Sequence, residues 1–433
     1  MDYKESEVGK IPVHWEIRQL SEIGEIVSGG TPNTKIEEYW NGNIPWITPK
    51  DLSGFTDRYI YSGERNITEL GLENSSAKLL PRNTVLFSSR APIGYVALAG
   101  DNLATNQGFK SIICDDKKAY PLFIYYLLKS KKNDIENIAG GSTFKEVSGK
   151  VMKEFKVQIP PLTEQKAIAN ILSTLDEKIE TNNQINEKLE EMAQALFKHW
   201  FVDFEFPNEN GEPYKSSGGE MVESVLGMIP KGWEVGKLGE LVEISNKSIK
   251  PQEYPEKFFE HYSIPAFDNG RTPEIQKGEE IKSSKYVINN HMVLVSKLNP
   301  STKRIWKPIT QTNNAICSTE FIVYMAKKEN ILSYVFEFLN NEKFQGILTA
   351  NATGSTGSRQ RVKPKETLNY KVVLPPLKLM RQFSKIIEPM HLKTGSNMIE
   401  NQKLKGLRDI LLPKLMSGEI RVPLDDEVLS EQN

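Results

Sequence analysis

Residues 160 to 200 read PPLTEQKAIANILSTLDEKIETNNQINEKLEEMAQALFKHW, and the spacing within this stretch decides the fold. After Pro160-Pro161-Leu162, apolar side chains fall at Leu172, Leu175, Ile179, Leu189, Ala193, Leu196 and Trp200, alternating three and four apart as in a helical seam. The spacing predicts one long helix. Continuing it places Asn182 and Asn186 where a partner helix should lie.

Roughly 215 positions later the pattern returns. Pro375-Pro376-Leu377 answers the first Pro-Pro-Leu, followed by Ile387, Met390, Leu404, Leu411 and Leu415, with Asn397 and Asn401 at the offsets of Asn182 and Asn186. An Asn buried in a seam sacrifices stability and fixes register, because only one alignment pairs the amides. The two helices are therefore expected to pair antiparallel with each other, with these four residues setting their alignment. Pro389 and Gly395 predict a kink or break in the second helix, since proline removes a backbone donor and glycine weakens helix interiors.

A second echo extends the repeat. Glu5-Ser6-Glu7-Val8-Gly9-Lys10-Ile11-Pro12-Val13-His14-Trp15 reappears as Glu223-Ser224-Val225-Leu226-Gly227-Met228-Ile229-Pro230-Lys231-Gly232-Trp233. The chain reads as a tandem duplication, each unit a globular domain running into a long helix. The fold class expected is mixed α/β. The boundaries are 1–160 for the first domain, 161–204 for its helix, 205–226 for a Gly/Pro/Ser/Asn-rich connector, 227–375 for the second domain, 376–420 for its helix and 421–433 for an acidic tail.

In the first domain, Ile44–Ile47, Thr84–Phe87, Ile93–Leu98 and Ser111–Ile113 read as strands, Leu122–Leu128 as a helix and Gly29–Pro32 as a tight loop. Val293-Leu294-Val295-Ser296 answers Val85-Leu86-Phe87-Ser88 in the second. Residues between the landmarks differ greatly, which suggests a shared fold with different ligands.

The chain has 433 residues and a formal net charge of −1. Two or three domains are expected, and nucleic-acid binding would need local basic surface. By sequence count, residues 161–228 are about eight charges acidic and 229–375 about six basic, so the second domain is the better candidate to meet a polyanion. No hydrophobic run reaches membrane-spanning length and no signal-peptide pattern opens the chain, which predicts a cytoplasmic protein. Cys114 and Cys317 are too few for a disulfide framework and are expected to be buried reduced thiols.

Catalytic motifs are missing. There is no phosphate-binding G-x-x-x-x-G-K-[ST] loop, no dinucleotide fingerprint and no His/Cys spacing for zinc. Asn299-Pro300-Ser301-Thr302 lacks the second proline and the aromatic expected of an adenine methyltransferase loop, and Glu154-Phe155-Lys156 is a chance nuclease-like triplet in a highly charged chain. No catalytic residue, metal site or cofactor of its own is expected.

Two loops carry the polar chemistry instead: Ala139-Gly140-Gly141-Ser142-Thr143-Phe144-Lys145 and Ala352-Thr353-Gly354-Ser355-Thr356-Gly357-Ser358-Arg359-Gln360-Arg361. Small residues let backbone N–H groups approach an anion, hydroxyls donate to phosphate and cations follow. Candidate DNA contacts are Arg90, Ser142, Thr143, Lys145 and Lys150 in the first domain, and Arg304, Ser355, Thr356, Arg359, Arg361 and Lys363 in the second. Arg90, Arg304 and Arg359 can present a fork to guanine, against the competing reading that they form salt bridges within the domain. The apolar Leu196, Phe197, Trp200, Phe201 and Phe204 exceed what a two-helix seam can bury, and are expected to bind a partner or, alternatively, the chain's own domains.

Together, Gly9-Lys10-Ile11-Pro12 with Trp15, Ser28-Gly29-Gly30-Thr31-Pro32, Tyr39-Trp40 with Ile44-Pro45-Trp46-Ile47, both Pro-Pro-Leu helix starts, Trp200-Phe201-Val202-Asp203-Phe204 and Leu415–Ile420 resemble the specificity (S) subunit of type I restriction-modification systems. The resemblance spans nearly the whole chain in the family's order. It implies two target recognition domains, each reading half of a split DNA sequence, held apart by the paired helices. It also implies two modification (M) subunits that carry S-adenosylmethionine and methylate adenine, and restriction (R) subunits that translocate and cut, with no catalysis by the specificity subunit itself. The competing classes are a methyltransferase or nuclease with unrecognised motifs, and a protein scaffold that never touches DNA.

Overall fold

The computed structural model describes residues 2–90, 92–140, 145–353 and 360–423. The chain packs as two compact units, one formed by Met1–Thr181 and Asn401–Asn433, the other by Asn182–Glu400. Each long helix, Leu162–Phe201 and Leu377–Met416, contributes a part to each unit.

In the first unit the hairpin Tyr3–Ser6/Gly9–Pro12 turns at Gly9, whose φ of 106° suits a residue without Cβ. Strand Glu16–Gln19 then pairs antiparallel with Lys156–Ile159, so the chain enters and leaves the domain side by side. Between them lie a five-stranded sheet, in the order Gly24–Ser28, Lys110–Cys114, Val85–Phe87, Val96–Ala99, Tyr59–Ile60, and a three-stranded sheet centred on Trp40–Ile47. Helix Pro121–Ser130 is buried at every residue from Leu122 to Leu128, which explains its continuous apolar run.

The second unit repeats the frame. Hairpin Met221–Ser224/Gly227–Pro230 opens it, its first strand inside the stretch read as a connector, and Glu234–Lys237 pairs with Lys371–Leu374. A four-stranded sheet follows, in the order Val242–Ile244, Phe321–Ala326, Met292–Ser296, Ile305–Trp306, together with a five-stranded one centred on Ala315–Cys317. Cys317 is buried and Cys114 partly so, both as free thiols.

The sequence landmarks recur because they pack together. In the first unit Trp15 is fully buried and donates to Glu164 (3.2 Å), Tyr3 O–H donates to the Gly418 carbonyl (3.1 Å) and Gln158 to that of Met416 (2.9 Å). A Cβ on Gly418 would come within 2.4 Å of Pro12, so this helix end needs glycine. In the second unit Trp233 plays the part of Trp15, packing on Phe201, Phe204 and Phe206.

Within each unit the helix halves run antiparallel. Asp176 accepts from Arg408 (2.7 Å) in the first unit. In the second, Asn182 donates to Glu400 and Asn397 to Asn186, both at 2.8 Å, and Phe197 meets Phe383 further along. The break expected at Pro389 and Gly395 is absent: helix Leu377–Met416 runs through both. Pro389 and Lys385, whose carbonyl loses its donor, are both exposed, so water can satisfy that group. Gly395 is buried against Ile309, whose Cδ1 would lie 2.5 Å from an added Cβ. Its small size serves packing.

Candidate nucleic-acid interface

Each domain carries a loop closed at its root by a two-way backbone pair. In the first unit Gly140 N–H donates to the Glu146 carbonyl (3.2 Å) and Glu146 N–H to that of Gly140 (2.9 Å). Val147 N–H then donates to the Ser89 carbonyl (2.9 Å), with the Val147 side chain fully buried as an anchor. In the second unit Thr353 and Arg361 exchange both bonds at 2.9 Å, Val362 N–H donates to the Lys297 carbonyl at 2.9 Å, and Val362 is the buried anchor. The two roots are thus the same device, with Glu146 and Arg361 in the same place.

Their side chains differ in sign. Glu146 lies 3.7 Å from the ammonium of Lys110, a residue buried on strand Lys110–Cys114. Burial pushes the Lys110 ammonium below its usual range, Glu146 opposes that shift and Arg90 adds to it. Arg361 instead donates through Nε and a terminal nitrogen to the two oxygens of Glu320, both at 3.2 Å. Lys110, Glu146 and Glu320 were not among the residues singled out from sequence. The signal that could have found them is the echo of Glu146-Val147 in Arg361-Val362 at the helix-seam offset.

The sequence candidates separate on this scaffold. Arg90 bridges to Glu146 through the backbone and is partly buried, while Lys145 is exposed at the loop root. Lys150 sits on helix Gly149–Glu154, 3.9 Å from Glu154, and Lys363 is 2.9 Å from Glu366, both pairs well exposed. Arg304 has its fork engaged by Asp268 at 2.7 and 2.9 Å, so guanine readout would require it to exchange a carboxylate for a base edge. Arg361 is similarly committed to Glu320. Ser142, Thr143, Ser355, Thr356 and Arg359 lie outside the described residues.

Along the helices, Asn182, Asn186 and Asn397 are buried and bonded within the second unit, and Asn401 is buried in the first. The aromatic surplus expected to meet a partner is accounted for within the second unit. Phe197, Trp200 and Phe201 are buried against Tyr334, Phe383 and Trp233, while Leu196 and Phe204 pack on the same cluster with part of their surface exposed. The extra apolar area covers the second domain's helix Leu332–Leu339 and its tryptophan, the alternative reading of these residues, and leaves part of Leu196 and Phe204 exposed. Among the described residues no group of three His, Cys, Asp or Glu side chains converges as a metal site, and no helix is long and apolar enough to cross a membrane.

Comparison with known proteins bears on these features. The specificity subunit of the type I restriction enzyme MjaIX from Methanocaldococcus jannaschii is 36% identical, over 97% of this chain and 97% of its own length. That of HindI from Haemophilus influenzae is 24% identical over 87% of this chain and 94% of its length. A crystal structure of a type I restriction-modification S subunit from M. genitalium shares the fold with a TM-score of 0.59, at 18% identity, over 94% of this chain and 96% of that one. The family model for the type I restriction modification DNA specificity domain matches residues 12–191 and again 230–406. Both copies of the frame are therefore specificity domains, and the chain belongs to the type I restriction-modification specificity family.

Proposed function

We propose that this chain is the DNA-reading, non-catalytic subunit of a type I restriction-modification complex, each domain reading one half of a bipartite target. The observation that carries the reading is the duplication itself: two matched specificity domains with equivalent loop roots, joined by helices that each serve both units. A helix of 40 residues is about 60 Å long, enough to hold readers on separate turns of a duplex. The helix pair would then set the spacer between half-sites. Methyl transfer would reside in two modification subunits carrying S-adenosylmethionine, and translocation and cleavage in restriction subunits, with no cofactor bound by this chain. Lys145 and Lys363 would meet phosphate and position the domains on DNA.

The test is to assemble the chain with its modification subunits, map the methylated adenines, and then exchange residues 227–375 for the corresponding domain of a relative. The expected outcome is a new sequence in one half of the site only, with the other half and the spacer unchanged. Binding should weaken steeply with salt. Methyl transfer by the isolated chain, or an unchanged target after the exchange, would defeat the proposal.

A further inference from the structure

A short turn between strands is built the same way in both units. Asn106-Gln107-Gly108 lies between strands Ala104–Thr105 and Lys110–Cys114, and Ser318-Thr319-Glu320 between Ala315–Cys317 and Phe321–Ala326. In the first turn Asn106 N–H donates to the Ile47 carbonyl (2.9 Å), Gly108 N–H to the Asn106 side-chain oxygen (2.8 Å), Phe109 N–H to the Asn106 carbonyl (3.3 Å) and Ser89 N–H to the Gly108 carbonyl (2.7 Å). In the second the same four bonds run from Ser318 to Tyr262, from Glu320 to the Ser318 hydroxyl, from Phe321 to Ser318 and from Lys297 to Glu320, at 2.9, 3.2, 3.0 and 2.9 Å. Identical scaffolds thus present a different middle residue in each domain: Gln107, exposed, and Thr319, partly buried.

The Gln107 amide is oriented from outside its turn. Its Oε1 accepts from the Thr31 hydroxyl, and among the described residues Nε2 is uncommitted. One acceptor position on Oε1 and two donors on Nε2 therefore remain on an exposed side chain. Thr31 reaches the turn because Gly29 and Gly30 lie flat against neighbouring backbone: an added Cβ would come within 2.0 Å of the Asn106 carbonyl oxygen at Gly29 and 2.3 Å of the Ala77 nitrogen at Gly30. The turn also adjoins basic surface. Ser89, whose hydroxyl donates to the same Gly108 carbonyl (3.1 Å), accepts from Val147 N–H (2.9 Å), so Gln107 and the exposed Lys145 belong to one hydrogen-bonded framework. In the second unit Lys297 makes the equivalent link to Val362, beside Lys363.

We propose that Gln107 is a base-reading residue of the first domain, donating from Nε2 to adenine N7 and accepting at Oε1 from adenine N6, with Thr31 as the positioning residue that sets the amide's orientation. Thr319 holds the equivalent place in the second domain. A carboxamide held one way round selects adenine, whereas a hydroxyl, both donor and acceptor, discriminates less. The inference rests on the proposed function, in which the domains face DNA and Lys145 meets phosphate.

The experiment uses the full chain assembled with its modification subunits and duplexes carrying the mapped target. Each adenine of the half-site read by the first domain is replaced in turn by 7-deazaadenine, which lacks the N7 acceptor. One replacement should weaken binding about tenfold. Gln107→Ala should weaken binding to the unmodified duplex by a similar factor and lose nothing further on that replacement, as two sides of one contact require. Thr31→Val should cost about threefold at the same base pair, with Thr31→Ser restoring it, because an amide free to rotate must be ordered on binding. Should Gln107→Ala lose its cooperative unfolding transition, Gln107→Glu keeps the side-chain shape and serves instead, and should shift the preference at that one position from adenine to cytosine. If Gln107→Ala weakens binding to all sequences equally and flattens the salt dependence, the side chain meets phosphate and the assignment is overturned. It is equally overturned if Gln107→Ala discriminates at every adenine as the parent does, since the Thr31–Gln107 bond then only braces two loops. A parent complex that fails to distinguish its target from a duplex scrambled in the first half would defeat the proposed function itself.

Discussion

At one step of the two long helices the first unit buries a carboxylate and the second an imidazole. Asp176 and His391 stand at the same offset as Asn182 and Asn397, and both point into their own domain. Asp176 accepts from Tyr126 O–H at 2.7 Å and from Arg408 at 2.7 Å, so a cation and a hydroxyl converge on one buried anion. His391 accepts at Nδ1 from the Lys307 ammonium at 3.0 Å, which leaves Nε2 to donate to Glu337 at 2.8 Å. Tyr126 and Glu337 come from equivalent helices, Pro121–Ser130 and Leu332–Leu339, and are unrelated residue types, while Arg408 lies on the long helix and Lys307 just after strand Ile305–Trp306.

The difference shows what duplication preserved. Both copies kept a polar tie between the domain helix and the long helix, and each satisfied it with its own charges, as the loop roots did. In the first tie the carboxylate meets the guanidinium directly. In the second the imidazole stands between Glu337 and Lys307: among the described residues Lys307 has no carboxylate within 4.0 Å, and burial pushes its ammonium down to about 8. Burial also holds His391 below its ordinary range, with Lys307 adding to the effect.

Removing the acid in the first tie should have the largest effect. Asp176→Ala leaves the buried Tyr126 hydroxyl without its acceptor and Arg408 with only the exposed Asp409, and should destabilise the first unit by about 2–3 kcal/mol. Hydrogen exchange in helix Pro121–Ser130 would register the loss while helix Leu332–Leu339 stays protected. Equal loosening of both helices would show that the ties are not independent.

The second tie should respond in the opposite sense. Its folded-state basic groups titrate below their unfolded values, so the unfolded chain holds more protons and stability rises with pH. For Lys307 the window runs from about 8 to the ordinary 10.5, and for His391 it lies below the ordinary 6.5. Lys307→Met should therefore stabilise the second unit by about 1–2 kcal/mol at pH 7 and flatten its stability between pH 8 and 10. A destabilised variant with the same pH slope as the parent would contradict this account.

The long helices and the repeat were legible because a three-four period over forty residues and a recurring Gly/Pro/Trp frame are properties of the chain alone. The strands Val85–Phe87 and Lys110–Cys114 were legible as apolar runs, though their order in the sheet was not. The aromatic cluster was legible only in part: Phe197, Trp200 and Phe201 are visibly too apolar for a seam, and nothing local tells whether Trp233 or another protein covers them. Arginine forks pose the same difficulty. Arg304, read as a base-readout candidate, and Arg361, read as a DNA contact, both carry free-looking guanidinium groups in the sequence, and only three-dimensional structure reveals Asp268 and Glu320 across from them. Pro389 shows the reverse case: the helix runs unbroken through it, at a step where both Pro389 and Lys385 are exposed and water can reach the freed backbone.

The smallest effect should come from a place in the second unit where the two helices meet as like with like. Asn186 and Asn397 are both asparagines, one from each helix, and the Asn397 amide donates to the Asn186 oxygen while Asn397 Oδ1 is buried without a partner among the described residues. A half-satisfied amide pair is worth little as a bond and more as an alignment mark, since a helix shifted by one turn would part Asn186 from Asn397 and set one of them against the charged Glu190 or Lys393. Asn186→Leu with Asn397→Leu should therefore raise thermal stability by about 1 kcal/mol. Its cost should appear in register: the assembled complex should tolerate half-sites one base pair closer or farther apart, which methylation of a spacer-length series would detect. Lower stability together with an unchanged spacer preference would show that the amides hold the helices together without aligning them.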